Sequence, residues 1–100
     1  MFLSNFTFNI EKEISAEWLK FVKLRTIPSI ESTNLVKNVK TFSLLTEIEN
    51  SGDTFTLQMQ YSSMDDFATF ELNHKDDILA ELYALFLGKI VMFETLLEEV

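Results

Sequence analysis

Between Thr54 and Ser62 the chain alternates: Phe55, Leu57, Met59 and Tyr61 fall on one side, Thr54, Thr56, Gln58 and Gln60 on the other. A period of two is the signature of a strand whose two faces differ chemically. The N-terminal stretch repeats it, with Phe2, Phe6, Phe8 and Ile10 against Leu3, Asn5, Thr7 and Asn9, and predicts a first strand over Phe2–Ile10. Val39 to Glu49 predicts a second strand that sets Phe42, Leu44 and Ile48 on one face. Glu49-Asn50-Ser51-Gly52-Asp53 then separates two alternating runs, which is a hairpin signal with Gly52 expected at positive φ. Ile90 to Leu96 closes the chain as a last strand, apolar on both faces around Ile90, Val91, Met92 and Phe93.

The intervening segments change period. Ser15 is placed as an N-cap, Glu17 sits near the positive helix end, and Ile14 with Leu19 fits a hydrophobic staple. This helix carries Trp18, Leu19, Phe21 and Val22 toward a core. It is expected to stop near Arg25 or Thr26, because Pro28 disfavours helical geometry at Ile27; Pro28 can itself start a short turn of helix. Ser63, followed by Asp65 and Asp66, caps a second helix running to Leu87. At 100° per residue, Phe67, Phe70, His74, Ile78, Leu82 and Leu85 form one stripe. Leu72, Leu79, Tyr83 and Phe86 form a second apolar flank, more than one sheet-facing helix requires. Asn73-His74 marks a candidate break, in which case that phasing holds only within each piece. Gly88 suits the left-handed position beyond the helix end.

The order βαββαβ predicts an α+β, ferredoxin-like single domain over residues 1–100, with a four-stranded antiparallel sheet whose central neighbours are strands one and three. Right-handed crossovers put both helices on one face. The other face then presents Asn5, Thr7 and Asn9 beside Thr56, Gln58 and Gln60, all polar and none charged. Water-facing strands usually carry some Lys, Glu or Arg. A face that can hydrogen-bond but would penalise bare charge suits a half-buried setting, such as a second subunit laid over the sheet.

Composition reinforces that expectation. Hydrophobic residues make up 47% of 100 residues, ten of them Phe, which is more large apolar surface than so small a domain hides internally. With 16 acidic and 8 basic residues the formal charge is −8, so the positive footprint that phosphates demand is missing and neither nucleic acid nor an anionic membrane surface is an expected partner. Cysteine is absent, which removes disulfides and thiolate chemistry. The N-terminus has no basic region of a signal peptide and no run reaches membrane-span length, so the cytoplasm is the expected compartment.

Several short motifs together carry a resemblance. They are Asn5-x-Thr7-Phe8-Asn9, Glu17-Trp18-Leu19, Ile27-Pro28, Gln58-x-Gln60-Tyr61, His74 in mid-helix, and Phe93-x-Thr95-Leu96-Leu97-Glu98. In this order, over nearly the whole length, the chain resembles an uncharacterised domain-of-unknown-function family of short bacterial proteins. The resemblance implies the dimeric α/β-barrel form of the ferredoxin-like fold, and no activity. Thr26 stands just before Ile27-Pro28, where that family is expected to carry His.

Candidate chemistry is sparse. His74, the sole histidine, could shuttle protons near neutrality, but a hydrogen-bonded structural group at a helix kink is the commoner role. Asp76 and Asp77 are adjacent and cannot both face His74, so no metal site is expected. There is no Gly-rich phosphate loop and no nucleophile motif, and no cofactor is expected. The candidate ligand-binding set is Asn5, Thr7, Asn9, Thr56, Gln58, Gln60, Tyr61 and His74. The leading expectation is a homodimeric, non-enzymatic structural or small-ligand-binding domain, taking a small apolar or aromatic molecule. The competing expectation is a cofactor-independent oxygenase or isomerase in which His74 or Tyr61 acts while Asn5 and Gln58 orient an aromatic substrate. A third is an accessory subunit docking through the second apolar flank of the long helix.

Overall fold

The fold was analysed in a computed structural model that describes residues 1–46 and 52–100. Strand β1 (Phe2–Ile10) is followed by a 3-10 turn (Lys12–Ile14), helix α1 (Ser15–Phe21), a π-turn (Val22–Thr26) and helix α2 (Ile27–Glu31). Strands β2 (Asn38–Ser43) and β3 (Asp53–Tyr61) come next, then α3 (Met64–Asn73), α4 (Lys75–Leu85) and β4 (Ile90–Glu98). The strands form one antiparallel sheet in the order β2-β3-β1-β4, with β1 and β3 central as predicted. The architecture is the α+β ferredoxin-like fold. The second strand is shorter than predicted, ending at Ser43 with Leu44 to Thr46 outside it; its predicted end at Ile48 and Glu49, and most of the predicted hairpin turn, lie outside the described residues.

Alternation decides which side chains meet the helices. Ser4, Phe6, Phe8 and Ile10 of β1 and Leu57, Met59 and Tyr61 of β3 are buried on one face. Helices cover that face: Trp18, Val22, Ile30, Phe70, Leu79, Leu82 and Phe86 join those strand residues in a single core. Trp18 stacks on Phe55 at 5.3 Å between ring centroids and leans on Phe8 at 5.0 Å. Such aromatic pairs add roughly 0.5–1.5 kcal/mol beyond the area they bury.

Two local expectations are corrected. Ser15 is not an N-cap: it lies inside the first turn, and its hydroxyl donates to the Asp53 carboxylate, tying helix to sheet. The first helix does not end before Pro28 either. Ile27 is helical (φ −62°, ψ −49°), and its N–H donates to the Val22 carbonyl, a five-residue step that opens a π-turn. A widened turn moves the preceding carbonyls away from the proline ring, so the helix passes through Pro28 where a regular α-turn would clash.

Other expectations hold. The Ser63 hydroxyl accepts from the Asp66 N–H at 3.1 Å as the N-cap of α3. The long helix breaks at His74 (φ −130°, ψ −35°), and the buried face is re-phased there. Phe70 is buried before the break, and Leu79, Leu82 and Phe86 after it, while Leu85 of the predicted stripe is 60% exposed. Gly88 (φ 76°) occupies the third position of a turn closed by the Lys89 N–H on the Phe86 carbonyl at 3.0 Å. Gly52 shows a different need from the positive φ expected of it: a Cβ there would stand 1.8 Å from the Ile10 carbonyl oxygen.

Candidate functional site: the open face of the sheet

The face turned away from the helices is assembled by register. Thr7 is paired with Thr56 on one side and Phe93 on the other; Asn5 with Gln58 and Thr95; Asn9 with Thr54 and Val91; Leu3 with Gln60 and Leu97. Strand β2 extends these rows with Asn38 beside Gln60, Lys40 beside Gln58 and Phe42 beside Thr56. Directly paired residues project from the same side of a sheet, with neighbouring strands about 4.8 Å apart. Asn5, Thr7, Asn9, Thr56, Gln58 and Gln60 therefore form one continuous patch, as expected. Thr54, Lys40, Phe42, Phe93 and Thr95 complete it.

The middle of this patch is polar and half-buried, and some of it is already internally bonded. The Asn9 amide donates to Thr54 Oγ1 at 3.2 Å, and the Asn38 amide donates to Gln60 Oε1 at 3.0 Å. Asn5 Oδ1, in the central row, is covered by its neighbours yet has no hydrogen-bond partner. An acceptor in that state forfeits roughly 1–3 kcal/mol unless a donor reaches it. Lys40, at the β2 edge, is the one charge among the described strand positions on this face.

Each margin exposes large apolar side chains. Phe42 is 49% exposed on one edge strand, and Phe93 (63%) and Val91 (67%) are exposed on the other. A polar centre flanked by Val91 and Phe93 on one edge, and by Phe42 beside Asn38 and Lys40 on the other, has large apolar side chains exposed at both margins. Met92, in contrast, turns inward and packs on the core.

Tyr61 and His74 are not part of this patch. Tyr61 is fully buried on the helix side, its ring edge-on to Phe67 at 5.3 Å and its hydroxyl facing the Met59 sulfur at 4.0 Å. Burial, followed by the nearby charges of Glu71 and Glu94, pushes its phenol well above the ordinary range, so it holds its proton and is a poor acid. His74 sits at the α3–α4 junction, its ring 6.1 Å from that of Phe70, while its N–H and carbonyl close turns with Phe70 and Ile78. The sheet stands between these two residues and Asn5 and Gln58, so the predicted combination of all four around one substrate is not assembled.

Two further surfaces bear on the expectations. An open depression of about 500 Å³ adjoins the Asn9–Val91 end of the patch and is lined by Glu11, Lys12, Glu13 and Lys89. On the helical side, Phe21, Leu24, Leu85 and Phe86 border an apolar groove of about 380 Å³. Leu72, from the predicted second flank, is 84% exposed away from the core. Among the described residues no three His, Asp or Glu side chains converge as a metal site, and no helix is long and apolar enough to cross a membrane.

No curated protein matches the sequence. The fold matches that of an antibiotic biosynthesis monooxygenase with a TM-score of 0.71, at 11% identity over 100% of this chain and 99% of the other. A NIPSNAP domain protein from Burkholderia xenovorans matches with a TM-score of 0.73, at 14% identity over 100% and 95%. A conserved protein of unknown function from Bacteroides thetaiotaomicron, described as a possible oxidoreductase, matches with a TM-score of 0.70, at 15% identity over 98% and 96%. At these identities the likeness establishes the fold. The family model matches residues 1–100, and the chain belongs to the family Domain of unknown function (DUF4286).

Proposed function

We propose that this protein is a homodimeric small-ligand-binding or structural domain whose working surface is the open face of the sheet. In this arrangement two copies lay their sheets together. Phe42, Val91 and Phe93 supply the apolar contact at the edges, while Asn5, Thr7, Thr56, Gln58 and their partners enclose a central polar space. The observation that carries the proposal is the layout of that face: a polar centre without a single carboxylate, flanked by exposed Phe42, Val91 and Phe93 and by one charge, Lys40, in a chain of formal charge −8. A face left in water gains nothing from excluding carboxylates, whereas a covered one would pay heavily for each.

The ligand such a space fits is small and planar, able to lie on Thr methyl groups and accept or donate hydrogen bonds at its rim. Substituting Thr7→Lys tests the reading, because it places an ammonium at the centre of the patch without disturbing the core. A thermal-shift screen with planar aromatic compounds is expected to raise Tm for the wild type and not for the variant. Equal association and equal ligand shifts for both proteins would refute a covered central face.

A further inference from the structure

On the helix side of the sheet, away from the patch, four polar side chains from four elements meet. Ser4 of β1, fully buried, donates from Oγ to Glu94 Oε2 at 2.7 Å. Lys75, the first residue of α4, donates to Glu94 Oε1 at 3.1 Å and pairs with Glu71 of α3 across the helix break. Glu71 Oε1 is buried and has no partner among these groups. The three charged side chains are each about one-fifth to one-quarter exposed (24% for Lys75, 19% for Glu71 and 21% for Glu94), so water screens them poorly. Tyr61 of β3 faces the same cluster.

Counting charges exposes an imbalance. Two carboxylates share one ammonium, and the remaining donor, Ser4, is already committed to Glu94. A low-dielectric cluster of this composition resolves the excess by holding a proton between the two acids. Glu71 has an oxygen free to carry that proton, and Glu94 is within its hydrogen-bonding reach. We propose that Glu71, Lys75 and Glu94 form a proton-operated latch, in which one proton shared by the two carboxylates keeps the α3–α4 junction docked on β4 and its loss frees the junction.

The geometry gives the latch its purchase. Glu71 and Lys75 flank His74, where the helix is broken, and Glu94 lies on an edge strand. The cluster is thus a polar clamp between the junction and the sheet. The electrostatics agree in direction. Burial, then the Glu94 carboxylate, raises Glu71 above its ordinary value of 4.5, against the pull of Lys75. For Glu94, burial pushes upward, but hydrogen bonds from Glu71, Ser4 and Lys75 outweigh it and hold the group low. The proton therefore resides on Glu71. Around it stand Lys75 from α4, Glu94 from β4, Tyr61 from β3 and the uncharged Ser4 from β1, with His74 next to Lys75 in sequence.

Above pH 4.5 the unfolded chain has released the Glu71 proton while the folded chain retains it, so stability from this group falls as pH rises toward the raised value. Glu94 acts oppositely: its contribution is full above 4.5 and is lost as pH falls through its lowered value.

The direct test is a carboxyl-carbon NMR titration of the wild type, alongside amide hydrogen exchange at His74 and Ile78, corrected for intrinsic rates. The expected results are a Glu71 midpoint above 4.5 and junction opening severalfold more frequent at pH 8 than at pH 5, where the folded chain still holds part of that proton. Glu71→Gln, a neutral mimic of the protonated acid, is expected to remove that pH dependence. His74 is present in both proteins, so a dependence that survives Glu71→Gln would belong to the imidazole and overturn the proposal. So would a wild type in which both carboxyls titrate at or below 4.5, a result that needs no variant to fold.

Discussion

Two glycines and one tryptophan show how differently single residues are constrained. Gly52 has no room for a Cβ, because the Ile10 carbonyl and the Glu11 Cα occupy the space, while Gly88 has open space but a positive φ. Gly88→Ala is therefore expected to cost about 1–2 kcal/mol of left-handed strain. Gly52→Ala must displace backbone on a central strand and is expected to cost more, at least about 2–3 kcal/mol; urea unfolding midpoints of the two variants rank them. Trp18 is fully buried with its indole N–H unpartnered. Trp18→Phe keeps much of the aromatic packing and removes that orphan donor, so it is expected to cost far less than Trp18→Ala, which should cost about 3–5 kcal/mol. Equal losses for the two in denaturant unfolding would contradict this. The Glu71–Lys75–Glu94 cluster was not read from the sequence. Its signals are the i,i+4 spacing of Glu71 and Lys75 and Glu94 alternating with Met92 and Leu96, a charge on the strand face that meets Phe6; nothing in spacing alone pairs Glu94 with Ser4 or Lys75.

Among the elements, strands were legible and helix continuity was not. Period-two alternation identified both faces of β1 and β3, because a one-residue slip would have exposed every Phe and Leu. The passage of the first helix through Pro28 was missed, since a π-turn depends on which carbonyl an N–H selects and leaves no composition signal. The proline is accommodated rather than tolerated under strain, so Pro28→Ala is expected to change stability by less than about 1 kcal/mol, well short of the roughly 3 kcal/mol of a clashing helical proline. A gain near 3 kcal/mol in thermal unfolding would mean that the ring strains the helix. The break at His74 was marked in the sequence, but its consequence, the shift of the buried face to Leu79, Leu82 and Phe86, needed the actual dihedral angles. Ser63→Ala should lose about 1 kcal/mol, the ordinary worth of an N-cap hydroxyl.

At the level of the whole molecule, the two faces of one sheet do different work. One is sealed by helices over a continuous aromatic core; the other offers polar rows framed by Phe42, Val91 and Phe93. The polar rows were legible because Asn, Thr and Gln alternate cleanly in the central strands. That Phe, Met and Leu of strands two and four would flank them is equally an expectation of the sequence; that Met92 turns inward instead, and that Lys40 joins the face, depends on edge-strand register. If two copies meet through this face, Phe93→Asp sets an unpaired carboxylate in the seam, and association should weaken by about 3–5 kcal/mol, or some hundredfold to several thousandfold in Kd. Phe93 lies outside the core, so the folded protomer should be nearly unaffected. Sedimentation equilibrium of the wild type and of Phe93→Asp at micromolar concentration tests this most directly: the account predicts twice the chain mass for the first and a folded monomer for the second. A monomeric wild type, or a dimer indifferent to the substitution, would contradict it.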